Sequence, residues 1–134
     1  MCGCGNDRLS LSRKRAPESV ARRGSTLSDQ RLPGPADLAE ACRAAGVRDQ
    51  RLLGAIAELP RAVFVPAGLA ASADLDEPVR ISHRQVTTQP SLVAKIVEAL
   101  ALRGKEKVLE VGTGYGYQTA LLAMLTREVW SIDL

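Results

Sequence analysis

The run Glu110-Val111-Gly112-Thr113-Gly114-Tyr115-Gly116 is the part of this sequence with the clearest chemical meaning. Closely spaced glycines let a chain turn sharply and let a ligand lie against the main chain. The turn follows the apolar stretch Val108-Leu109-Glu110-Val111 and opens a helical stretch from about Tyr117 to Leu125. Asp133 then closes the next apolar run, Val129-Trp130-Ser131-Ile132. A carboxylate about 20 residues beyond such a turn is placed to accept both hydroxyls of a ribose.

Two nucleoside cofactors compete for this arrangement. The dinucleotide pattern GxGxxG needs its third glycine where this sequence has Tyr117, whereas Gly116 comes one residue earlier. Glu110 places an acid just before the turn, which suits a cation and opposes a pyrophosphate. S-adenosyl-L-methionine carries a sulfonium and an ammonium and no phosphate, so the pattern favours it over NAD. A glycine turn that holds no ligand is the plainer alternative. Thr88, just ahead of Pro90, is placed to serve as a helix N-cap. The lone His83 is a weak candidate base. Cys2, Cys4 and Cys42 form no CxxC pair, and a structural metal needs about four ligands, so free thiols and no metal are expected.

The elements that must position these residues follow from periodicity. Leu38, Ala41 and Cys42 share one face of a short helix starting near Asp37, which Gly46 can end. Leu52, Leu53, Ile56 and Leu59 mark a second helix stopped by Pro60, and Val63-Phe64-Val65-Pro66 is an apolar knot. Residues 67–78 read as loop and Val79 to Ile81 as a short extended piece. Pro90 suits a first helical turn, with Leu92, Val93, Ile96, Val97 and Leu100 as one stripe closed by Gly104. Strand, glycine turn, helix and strand then make one βαβ unit. Phe64, Tyr115, Tyr117 and Trp130 are the only aromatics, so the core rests on aliphatic residues, as in helices packed on a parallel sheet.

The net charge of +3 is concentrated at one end. Residues 1–35 hold seven basic and three acidic side chains, and the remainder is near neutral, which removes the main support for nucleic-acid binding. Those residues read as a disordered basic tail, 36–86 as a helical and loop segment, and 87–134 as the first part of a cofactor-binding domain. No apolar run approaches the roughly 18 residues a membrane span needs, and the basic start lacks a secretory core.

The stretch Leu59-Pro60-Arg61-Ala62-Val63-Phe64-Val65-Pro66, then Gln85-Val86-Thr87-Thr88-Gln89-Pro90-Ser91-Leu92-Val93, then Val108 to Ala120 and Val129 to Asp133 resembles the protein-L-isoaspartate O-methyltransferase family over residues 48–134. The resemblance implies an α/β fold: the start of a doubly wound, Rossmann-like methyltransferase domain preceded by a helical segment. It implies methyl transfer from S-adenosyl-L-methionine to the side carboxylate of L-isoaspartyl residues in damaged proteins or peptides, in the cytoplasm, by a monomer. The family's active-site serine falls on Thr88. Gln89, Pro90, Ser91 and Leu92 match positions near the cofactor, Gly112 and Gly114 lie against it with Glu110 before them, and Asp133 matches the acid on the ribose.

Such chemistry needs few catalytic groups. An isoaspartyl carboxylate has a pKa of about 4, so it is already a nucleophile at neutral pH and needs no base. Arg84 departs from the family, which commonly has glycine there. The chain also stops after the second strand, so the expectation is an incomplete domain with little activity alone. Rival readings are a methyltransferase acting on an aspartate of another peptide, a non-catalytic partner-binding module, and an NAD-dependent enzyme.

Overall fold

A computed structural model of the protein describes residues 31–81 and 85–133. The expectations for residues 1–30, with Cys2 and Cys4, and for His83 and Arg84 lie outside these. Helix α1 (Pro35–Ala44) begins two residues earlier than the periodicity suggests, because Pro35 takes the first helical position and the Asp37 carboxylate accepts the Gly34 N–H at 2.8 Å. Arg31 reaches back to the same carboxylate in a forked contact of 2.6 and 2.7 Å. Helix α2 (Gln50–Glu58) is capped by Asp49, whose Oδ1 accepts the Arg51 and Leu52 N–H groups.

Two short 3-10 turns follow, Arg61–Phe64 and Ala67–Ser72. The second falls inside the stretch expected to be plain loop; its small residues Ala67-Gly68-Leu69-Ala70 carry no long apolar period. Helix α3 (Pro90–Ala99) starts at the expected proline. Its stripe divides, however: Val93, Ala94 and Val97 are buried, while Leu92, Ile96 and Leu100 remain about half exposed. The helix packs chiefly on α1 and α2, which covers one side of that wide stripe. It also ends before Gly104, with Ala101 taking a left-handed φ of 50°.

Strand β1 (Lys107–Val111), helix α4 (Tyr117–Leu125) and strand β2 (Glu128–Ile132) form the expected βαβ unit. The strands pair in parallel, with Leu109 beside Trp130 and Val111 beside Ile132. Alternation along a strand puts Val108, Glu110, Val129 and Ser131 on the other face. The core lies among the helices: Leu38, Cys42, Leu52, Leu53, Ile56, Leu121 and Leu122 are buried in one cluster with Val93 and Val97. Two polar ties fix the layers. Glu98 of α3 accepts the Arg48 and Asp49 N–H groups at 2.6 Å, and the Arg51 guanidinium donates to the Leu125 carbonyl at the end of α4.

Among the described residues no helix is long and apolar enough to cross a membrane, and no group of three ligating side chains is placed to hold a metal ion. Cys42 is buried, and loss of solvation pushes its thiol up to about 11. Ile56→Ala is expected to lower stability by about 2–5 kcal/mol. Ile96→Ala, on the half-exposed side of α3, is expected to stay within about 0.5–1 kcal/mol. Urea unfolding of both variants measures the contrast.

Candidate functional site

The glycine turn is built from three left-handed residues. Gly112, Gly114 and Gly116 have φ of 93°, 54° and 84°, which side chains with a Cβ adopt at a cost. A Cβ added at Gly112 or Gly114 meets no atom within 4 Å, so the loop's main chain faces open space there. The chain then enters α4, with the Ala120 N–H closing on the Gly116 carbonyl.

Glu110 lies behind this loop, 4% exposed. Its carboxylate accepts from the Gln118 amide at 2.9 Å and from the Thr119 and Ser131 hydroxyls, and the Thr113 and Ser131 hydroxyls bond to each other. These are neutral donors, and among the described residues no cation is within ion-pair distance of Glu110. The strand-end acid thus sits beneath the glycine turn held by three neutral donors. Asp133, at the end of β2, reaches across to accept the Gly114 N–H at 2.8 Å.

The opposite wall comes from residues 85–90 and the proline knot. One cleft is lined by Phe64, Val65, Thr87, Thr88 and Pro90 on this side and by Gly112 to Gln118 on the other. Phe64 meets the Tyr117 ring edge to face at 5.7 Å, which closes the cleft floor against the core. Thr88 is exposed on this wall. It does not cap α3: the helix cap is Gln89, whose side chain makes no capping bond, and the Ser91 N–H goes instead to Asp76 at 2.8 Å.

Of the residues singled out from sequence, the structure therefore gathers Thr88, Pro90, Gly112 and Gly114 around one cleft, with Asp133 touching the loop at Gly114. Gln89 and Ser91 turn to Asp76, and Glu110 faces α4. Sequence reasoning missed the group that holds the Thr88 wall in place. Arg61 is 2% exposed; its guanidinium donates to the Ala73, Leu75 and Glu77 carbonyls and, at 2.9 Å, to the Thr87 hydroxyl. Its N–H is taken by Asp74. The available signal was a charged residue inside an otherwise apolar knot.

Burial lowers the Arg61 pKa from its ordinary value, while Tyr117, Asp74 and Asp76 act to raise it. Burial raises that of Asp76, but the Ser91 N–H and hydroxyl, the Gln89 amide and Arg61 outweigh it and leave the carboxyl below its ordinary value. A depressed folded-state pKa adds stability that is present above the unfolded value and lost as pH falls through the folded one. Asp76→Asn is therefore expected to cost about 1–3 kcal/mol at neutral pH. The deficit should shrink as pH drops below about 4. Thermal unfolding at pH 7 and pH 3 checks both.

Comparison with known proteins adds three findings. The family model of protein-L-isoaspartate(D-aspartate) O-methyltransferase matches residues 35–133. The chain is 56% identical over 98 residues to the protein-L-isoaspartate O-methyltransferase of Anaeromyxobacter dehalogenans strain 2CP-C, covering 73% of this chain and 47% of that protein. It is 42% identical over 132 residues to that of Burkholderia mallei strain SAVP1, covering 90% and 41%. It thus spans about half the length of the curated relatives it matches. A solved structure named protein-L-isoaspartate O-methyltransferase aligns with TM-score 0.54 at 25% identity, over 72% of this chain and 32% of that one. One from Plasmodium falciparum, in complex with S-adenosyl-L-homocysteine, aligns with TM-score 0.61 at 21% identity, over 75% and 48%, a likeness of fold.

Proposed function

Because the chain belongs to the protein-L-isoaspartate(D-aspartate) O-methyltransferase family, we propose that it carries the front part of a site for methyl transfer from S-adenosyl-L-methionine to L-isoaspartyl carboxylates. The substrates are damaged proteins or peptides in the cytoplasm, and the reaction is a repair step. The observation that carries this reading is the single cleft shared by the open glycine turn and the Thr88 wall.

The residues fit the cofactor's chemistry. Gly112 and Gly114 leave main chain free for close approach, and the Asp133 carboxylate at the strand end suits a pair of ribose hydroxyls. The Glu110 carboxylate beneath the turn, held only by neutral donors, favours a cationic ligand over a pyrophosphate, which argues against NAD. When bound, S-adenosyl-L-methionine supplies an electrophilic methyl group. The chain's own task is to bring a carboxylate oxygen into line with it and to keep water away. Thr88 is the hydroxyl that orients the carboxylate. Phe64, Val65, Pro90 and Tyr117 give the cleft an apolar side, which strengthens that hydrogen bond by excluding solvent. No residue needs to serve as a base, since the carboxylate is ionised at neutral pH.

Calorimetric titration of the 134-residue chain with S-adenosyl-L-homocysteine is expected to show saturable binding, weakened about tenfold or more by Asp133→Ala. Methyl transfer to an isoaspartyl peptide, measured beside the matching aspartyl peptide, tests the substrate. A folded chain that binds no S-adenosyl-L-homocysteine would sink the proposal and favour a partner-binding module. Transfer to the aspartyl peptide alone would assign a different substrate.

A further inference from the structure

We propose that Thr87, backed by the buried Arg61, is a second hydroxyl donor to the substrate carboxylate, beside Thr88. This rests on the methyl-transfer reading above and assigns a recognition role to two residues outside that reading.

The geometry at the Thr87 oxygen is the starting point. Oγ1 accepts the Val79 N–H at 2.9 Å and the Arg61 Nη2–H at 2.9 Å. A hydroxyl oxygen has two lone pairs and one hydrogen, so both acceptor directions are in use and the hydrogen is what remains. Among the described residues, nothing accepts that hydrogen. Thr87 also lines the cleft, between Arg61 and Thr88. A half-buried hydroxyl with an unused proton at the wall of a cleft is a donor waiting for an acceptor.

Arg61 decides what kind of acceptor suits it. The guanidinium is 2% exposed, and its donors go to three carbonyls and the Thr87 hydroxyl, with no carboxylate within ion-pair distance among the described residues. Asp74 and Asp76 act on it from further off, and Asp76 spends its own oxygens on Gln89 and Ser91. A hydroxyl that accepts from a cation becomes a stronger donor, and the low local dielectric amplifies this. Thr87 therefore relays the positive charge of Arg61 to the cleft wall, where an anion is preferred to a neutral amide. A carboxylate held there through one oxygen keeps the other free to attack.

The test uses the full chain saturated with S-adenosyl-L-homocysteine, titrated with an isoaspartyl peptide and with the same peptide carrying a carboxamide in place of that carboxylate. The wild type is expected to prefer the carboxylate. Thr87→Val should weaken the carboxylate peptide about 10- to 100-fold, leave the carboxamide peptide and S-adenosyl-L-homocysteine nearly unchanged, and so collapse the ratio. Thr87→Ser should restore it. Thr87→Cys, near in size and a weak donor, repeats the comparison if the valine variant does not fold. Equal weakening of both peptides, or an unchanged ratio, would show that Thr87 only shapes the wall and would overturn the proposal. A wild type that binds S-adenosyl-L-homocysteine but neither peptide overturns the substrate reading, and the Thr87 role with it.

Discussion

A guanidinium cannot be taken out of water unless its donors find partners, and Arg61 satisfies this by drawing three separate pieces of chain together. Its own 3-10 turn, the carbonyls of residues 73–77 and the hydroxyl of Thr87 converge on one buried group. Among the described residues, the regular hydrogen bonding in and beside these segments is confined to the short 3-10 turns and the isolated bridge between Arg80 and Val86. Removing the guanidinium would strand several carbonyls at a cost of about 1–3 kcal/mol each if they stay buried. Asp76 completes the arrangement by taking the Ser91 N–H, so the wall that bears Thr88 is pinned from both ends of its run into α3. An irregular segment gains a defined shape here from one side chain.

Glu110 plays the opposite part on the facing wall. It too is buried and held only by neutral dipoles, one amide and two hydroxyls. The two buried groups thus stand behind facing walls of the cleft, the Glu110 carboxylate beneath the glycine turn and the Arg61 guanidinium behind the threonines. On the proposed reading, such an arrangement suits a reaction that joins a positively charged methyl donor to a carboxylate acceptor. Both side chains are held in place by hydrogen bonds within the fold before any ligand arrives.

The βαβ unit was legible because its signals are local. The α4 limits coincide with the helix expected from Tyr117 to Leu125, and the glycine turn carries its own punctuation. The family is carried by that unit together with Leu59 to Pro66 and Gln85 to Val93, and the match over residues 35–133 bears it out, while the α/β fold agrees with that of the solved structures. What was not legible depends on contacts far apart in sequence. The division of the α3 stripe is set by what packs on the helix, since Leu92 and Val93 look alike to any period. The 3-10 turn at Ala67–Ser72 has no apolar pattern to announce it. The place of Arg61 in the proline-bounded knot gives it no role in sequence, because its partner Thr87 lies 26 residues away and nothing local marks a charge as buried. Asp76 was unseen for the same reason.

The first turn of α4 shows how tightly the two walls are coupled. Tyr117 turns into the core, where its ring meets Phe64 and the Arg61 guanidinium lies 5.9 Å from its centre. The next two residues, Gln118 and Thr119, turn to Glu110. Successive residues on a helix point about 100° apart, so three neighbours serve the cationic side, the core and the anionic side at once. A shift of α4 by even a fraction of a turn would disturb Phe64 and Glu110 together. Close packing makes such a shift costly, since the buried Leu121, Leu122 and Leu125 hold the helix against α2. The shape of the cleft is thus set by the same side chains that bury the helix, and its charges are aimed by the helix they flank.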